Sequence, residues 1–319
     1  MYCCEELARR DCRGLQGVIM DKKEVKQALK EAEKKILTWE EAKTLSGSFI
    51  KLNCGFTHFE VKGEGELVVL CHGYATPYYI YDKVFEGLVN AGYRVLRYDL
   101  LGRGYSERVD AEYNAELFAT QLYELTSALF FGEKFYLVGT SMGGTITTTY
   151  YKNHPDTVKK LILLAPAGMD TFKAPGYMKI ANVKGLGEFI FYNIAGPMLL
   201  KKSNSELYNV SEEEKDYYQR NFAKAMVYKG FLKATLSSLR NTILRTDLAM
   251  QGYEAVARDN LPLLVIWGTI DKTMPYYQSE RLKEVCPNVK LITYENSGHI
   301  FLFDEGEKTT KDILDFIRG

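Results

Sequence analysis

Gly139-Thr140-Ser141-Met142-Gly143 is the stretch of this sequence best suited to chemistry. It follows an apolar run, Phe135–Val138, and precedes a helical pattern that begins near Met142. A serine hydroxyl is a poor nucleophile until a neighbouring base takes its proton. Glycine two positions to either side lets a strand turn abruptly into a helix, because a side chain there would collide with the turn. Such a turn projects the Ser141 oxygen over the edge of a sheet, with the partial positive charge of a helix amino terminus beneath it. The backbone N–H of Met142 is then placed to donate to an oxyanion. The pentapeptide alone is weak; the strand before it and the helix after it carry the weight.

Two later loops hold the residue types that an activated serine needs. Trp267-Gly268-Thr269-Ile270-Asp271 ends the apolar run Leu263–Trp267, and Glu295-Asn296-Ser297-Gly298-His299 follows the run Val289–Tyr294. A carboxylate just past a buried strand can orient an imidazole and stabilise its cation. His299 is the expected general base and Asp271 its partner, in the order Ser, Asp, His. A lone Asp in a Gly-rich turn is usually a turn former, and a lone late His is usually a surface residue. Their joint placement after consecutive strands favours chemistry, with Asp170 as the competing acid. A third loop, Cys71-His72-Gly73-Tyr74, ends an earlier apolar run and supplies the backbone N–H of Tyr74 as the second oxyanion donor. His72 is read as ordering this loop rather than as a base. The Tyr74 ring either lines an acyl pocket or packs in the core.

The elements that position these loops follow from periodicity. β-rich runs at 49–53 and 57–62 are joined by a turn, which predicts an antiparallel edge. Largely apolar runs follow at Leu67–Cys71, Val95–Tyr98, Phe135–Val138, Leu161–Leu164, Leu263–Trp267 and Val289–Tyr294, alternating with helical stretches such as 78–91, 115–131 and 142–153. Apolar strands alternating with helices predict an α/β fold: a mostly parallel eight-stranded sheet with helices on both faces. The alternation lapses between Leu164 and Leu263, so residues 168–250 are expected to form an inserted helical cap over the carboxyl edge of the sheet. The core is then 49–167 and 251–319. Phe189, Phe191, Tyr192, Met198 and Leu199 of the cap either line an apolar acyl tunnel, with Phe189 and Tyr192 touching substrate, or pack cap helices together; a lipid surface is the lesser option at zero net charge. Residues 1–48 form an amino-terminal segment: an irregular lead over 1–20, then Val25, Leu29, Ala32, Ile36 and Trp39 at the spacing of one amphipathic helix over 21–45, docked on the main body.

Composition narrows the function. Lys+Arg and Asp+Glu number 41 each, so no global charge draws the chain to nucleic acid or to an anionic membrane, and neither is an expected partner. Cys3, Cys4, Cys12, Cys54, Cys71 and Cys286 are scattered without C-x-x-C spacing, which favours free thiols in a reducing compartment; the expected location is cytoplasmic. The four histidines are too dispersed for a metal site, residues 1–20 lack the apolar core of a signal peptide, and no apolar run is long enough to span a bilayer.

Together these motifs resemble the α/β-hydrolase superfamily, in its lipase and carboxylesterase-like branch. The likeness covers about residues 49–317 and rests on His72-Gly73, the turn from Tyr98 to Ser106, Gly139 to Gly144, Trp267-Gly268 with Asp271, and Gly298-His299. It implies a catalytic triad of Ser141, Asp271 and His299, no metal and no organic cofactor. It further implies that Asp99, Gly102, Arg103, Gly104 and Ser106 build a supporting loop beside the site, with Arg103 within possible reach of substrate. The implied reaction is cleavage of a small-molecule carboxylic ester with an apolar acyl group through an acyl-enzyme, as in carboxylesterases or monoacylglycerol lipases. Dehalogenases and epoxide hydrolases of this fold carry Asp where this chain has Ser141. C–C bond hydrolases, thioesterases, amidases and cofactor-free haloperoxidases remain alternatives, as does a non-catalytic ligand receptor on the same fold.

Overall fold

The structure, a computed structural model, describes residues 22–174 and 176–319. Eight strands form one sheet: β1 (Ser48–Leu52), β2 (Gly55–Lys62), β3 (Leu67–Cys71), β4 (Arg94–Tyr98), β5 (Phe135–Thr140), β6 (Val158–Leu164), β7 (Leu263–Gly268) and β8 (Lys290–Tyr294). Their order is β1-β2-β4-β3-β5-β6-β7-β8. β1 pairs antiparallel with β2, and β2 antiparallel with β4. Every later pairing is parallel, with Leu137 beside Val69 on one flank and Leu161 on the other. The mostly parallel α/β sheet read from the periodicity is therefore the one observed. β3, β5 and β7 are buried along their whole length, because helices cover both faces and leave no side that favours polar residues.

The helix Met142–Asn153 packs between Ala115–Leu129 and Thr246–Arg258, and Asp82–Asn90 packs against Gly306–Arg318. Asn114 caps Ala115–Leu129, its side chain accepting from the Leu117 N–H at 2.9 Å. In a parallel sheet built this way the loops after β3, β5, β7 and β8 gather at one edge, which is where the candidate residues lie.

Between β6 and β7 the chain forms a helical insertion that includes Leu186–Ile190, a π-helical turn at Phe191–Ala195, Gly196–Lys201, Glu212–Met226 and Phe231–Ser238. The expected division at residue 250 falls inside the helix Thr246–Arg258, whose Tyr253 hydroxyl donates to the Ala167 carbonyl at 2.6 Å.

The single helix expected over 21–45 is instead two short ones, Lys22–Glu31 and Trp39–Ala42. The reason is tertiary. Glu33 takes φ +61°, and its carboxylate accepts from the Gly230 and Leu232 N–H groups, each at 2.8 Å, capping the helix Phe231–Ser238. Lys35 then bridges to Tyr228, which holds the chain extended. Val25, Ala28, Leu29 and Ala32 pack on Phe222, Met226, Phe231 and Ala75, so the segment straps the insertion, while Ile36 faces solvent. Cys54, Cys71 and Cys286 are free thiols; Cys3, Cys4 and Cys12, and the irregular lead expected over 1–20, lie outside the described residues. Among the described residues no helix is long and apolar enough to cross a membrane.

Candidate active site

Ser141 sits between β5 and its helix with φ +53° and ψ −122°. A non-glycine residue pays on the order of 1–3 kcal/mol for such a backbone. The turn is held by its own hydrogen bonds: the Ser141 N–H donates to Leu164, and its carbonyl accepts from Gly144 and Ala167, each at 2.9 Å. A side chain on Gly143 would collide with the carbonyls of Cys71 and His72, and one on Gly139 with Gly143 and Thr147. The two glycines therefore let the helix, the turn and the 71–74 loop close on one another.

That loop passes directly over the serine. A Cβ on Gly73 would lie 3.0 Å from the Ser141 Cβ and 3.5 Å from its Oγ. Among the described residues, neither the Tyr74 N–H nor the Met142 N–H donates to a protein acceptor. His72 is wholly buried; it donates from Nδ1 to the Gly73 carbonyl at 2.9 Å and accepts at Nε2 from the Leu100 N–H at 2.9 Å. Burial, against the pull of Asp99, holds its pKa down to about 4, so the ring is neutral and serves as a strut of the loop. The bond to Gly73 grips the same peptide plane that carries the Tyr74 N–H. The Tyr74 ring packs against two apolar clusters, one in the core and one under the insertion, and burial pushes its phenol pKa up.

The loop after β7 brings Asp271 against His299, with Oδ2 at 2.7 Å from Nδ1. The other carboxylate oxygen accepts from the Thr273 and Met274 N–H groups at 2.8 and 2.7 Å. A carboxylate only accepts, so Nδ1 carries the hydrogen and Nε2 is the free, basic nitrogen. No hydrogen bond joins the Ser141 hydroxyl to that ring among the described residues; such contacts often tighten only when substrate is bound. Asp170, the competing acid, is held by Arg281 at 2.8 and 3.1 Å, partly exposed.

Glu206 carries no sequence signal and was not anticipated. It comes from the insertion and touches both catalytic-loop candidates, Oε2 at 3.4 Å from the His299 N–H and Oε1 at 3.4 Å from the Thr273 hydroxyl. Two residues on, the Tyr208 N–H donates to Asp304 at 2.8 Å. Burial alone would lower the His299 pKa, but Asp271 by charge and hydrogen bond, then Glu206 by charge, outweigh it and raise it. Glu206→Gln is therefore expected to shift the acidic limb of a kcat/KM–pH profile to lower pH, because less acid is needed to protonate the wild-type ring. Superimposable profiles for the two proteins would remove Glu206 from the site.

Other expected residues fall elsewhere. Phe189 is 64 % exposed and Tyr192 38 %, so neither is a closed tunnel wall; Phe191 is buried, and Leu199 packs beneath the insertion. Met198 is partly exposed. Arg103 is fully buried and donates to the Tyr74 carbonyl at 2.9 Å and the Ser238 hydroxyl at 2.7 Å, which makes it a brace behind the 71–74 loop. Asp99 accepts from the Tyr78 and Tyr105 N–H groups and pairs with His58 at 2.7 Å. Among the described residues no three His, Cys, Asp or Glu side chains gather as a metal site requires.

A serine on a strained strand-to-helix turn, facing a Gly-bearing loop, with an Asp–His pair on the same edge of an eight-stranded mostly parallel sheet, defines a class of α/β fold. The sequence profile of the alpha/beta hydrolase fold matches residues 66–306, and the chain belongs to that family. It is 25% identical to Lipase 3 of Moraxella sp. over 80% of this chain and 78% of that protein. It is 28% identical to a 2-hydroxy-6-oxononadienedioate/2-hydroxy-6-oxononatrienedioate hydrolase of Cupriavidus pinatubonensis, over 84% of this chain and 94% of that protein. The solved esterase of Exiguobacterium antarcticum shares the fold with a TM-score of 0.71 at 23% identity, over 86% of this chain and all (100%) of that one.

Proposed function

We propose that this chain is a serine hydrolase that cleaves carboxylic esters through an acyl-enzyme. The observation that carries the reading is the strained Ser141 turn pressed against Gly73, with two undirected backbone N–H groups beside it and the Asp271–His299 pair on the same sheet edge. His299 Nε2 takes the proton of the Ser141 hydroxyl as its oxygen attacks the ester carbonyl. The N–H groups of Tyr74 and Met142 hold the oxyanion, and each such donor contributes on the order of 10²–10³ in rate. The proton on His299 passes to the leaving alcohol. A water molecule, deprotonated by His299, then releases the acid and restores the serine. Asp271 keeps the imidazole in the tautomer with Nδ1–H.

The decisive experiment is a panel of p-nitrophenyl esters of rising acyl length, run beside a thioester and a vinylogous diketone. Ester turnover is expected to exceed the others. Turnover of the diketone with little ester cleavage would favour carbon–carbon bond hydrolysis, the alternative that the resemblance of the sequence leaves open. A flat profile over the whole panel, without labelling by a fluorophosphonate, would defeat the enzyme reading.

A further inference from the structure

We propose that the outer face of the insertion, residues 178–202, docks on an anionic lipid surface. Fifteen large apolar side chains are exposed over the described chain, and seven of them fall between 180 and 198. Val183, Leu186, Phe189 and Ile194 are each at least half exposed. Along the continuous helical run from Leu186 to Lys201, Leu186, Ile190, Ile194 and Met198 recur every four residues and so share one side. The other side is already occupied: Gly187, Phe191, Gly196 and Leu200 are buried against the molecule. An apolar stripe left over after a helix has packed has no further role in the fold, and a patch this concentrated marks an interaction surface.

Charge selects the partner. Residues 178–202 contain Lys179, Lys184, Lys201 and Lys202 against the single acid Glu188. All four lysines are exposed, and among the described residues none forms an ion pair. Glu188 is spent inward on Arg240 and the Gly185 N–H. The chain as a whole has no net charge, so this segregation is local and invisible to composition. Apolar side chains bordered by lysines suit a headgroup layer, where the apolar atoms enter the acyl boundary and the ammonium groups meet lipid phosphates. A second copy of the same face fits poorly, because an isologous contact would set the lysine clusters against each other. Glu206 follows within a few residues of Lys202, so docking sets the candidate site beside the lipid and favours substrates presented from it.

The test uses full-length protein and does not depend on the reaction proposed above. Co-sedimentation is measured with phosphatidylcholine vesicles and with vesicles that also contain phosphatidylglycerol. Wild-type protein is expected to sediment with the anionic vesicles and to be released by salt. The fourfold variant K179E/K184E/K201E/K202E should bind at least about tenfold more weakly. The double variant Leu186→Ser with Ile194→Ser should also lose binding, while melting temperature and short-ester turnover stay as in wild type. No sedimentation with anionic vesicles, or equal binding by wild type and both variants, overturns the proposal. So does a dimer in light scattering that the double variant dissolves, which would assign the face to a second copy. Vesicle binding without ester turnover would sink the ester-cleavage reading and leave this one standing.

Discussion

Ser141→Ala is expected to abolish covalent labelling by a fluorophosphonate and to lower ester turnover by about 10⁴–10⁶-fold. The size of the effect follows from chemistry: alanine offers no oxygen to attack the carbonyl, and what remains is binding plus oxyanion stabilisation. The fold should survive, because alanine keeps the Cβ that already occupies the φ +53° turn, and the hydroxyl takes no part in the backbone bonds that hold it, donated to Leu164 and accepted from Gly144 and Ala167. Melting temperature therefore serves as the control. Labelling that persists in the variant would place the nucleophile elsewhere, and an unchanged turnover would remove Ser141 from the reaction.

Asp271→Asn is expected to cost about 10⁴ in kcat with the fold intact. The carboxylate has two separate duties. One oxygen accepts the Thr273 and Met274 N–H groups, and an asparagine carbonyl can continue to do so. The other accepts the Nδ1–H of His299, and an amide NH₂ there is a donor facing a donor. The imidazole must then turn or move its hydrogen to Nε2, where it can no longer take the serine proton. The charge effect has a defined sign as well. Asp271 raises the His299 pKa, so its loss should carry any residual acidic limb to lower pH, in the same direction as Glu206→Gln. A variant with near wild-type kcat, or an acidic limb moved upward, would refute this role.

Much of the architecture was legible before any coordinates. The runs Leu67–Cys71, Phe135–Val138 and Leu263–Trp267 are apolar throughout because both sheet faces are covered, and that pattern distinguishes a parallel α/β sheet from an antiparallel one. Gly139 and Gly143 stand where a side chain would collide with the turn or with the loop packed on it, so their spacing around Ser141 announced the turn. The amino-terminal segment was misjudged for the opposite reason. Its helical periodicity is real through Ala32, but the carboxylate of Glu33 finds better partners at the start of a helix almost two hundred residues away. Local propensity had no access to that competitor.

The same division holds for the site and the surface. Residue type, spacing and order by themselves determined which serine, acid and histidine stand at the strand ends, because these depend on the turn geometry of a few neighbouring residues. Only the tertiary structure decided that Asp271 meets His299 while Asp170 is claimed by Arg281. It also decided that Glu206 leans on both loops, and that the apolar residues of the insertion face outward beside four lysines. Those outcomes depend on which distant chain segments reach a position first and satisfy its charges and apolar faces. A contact between residues far apart along the chain leaves no periodic trace in either segment.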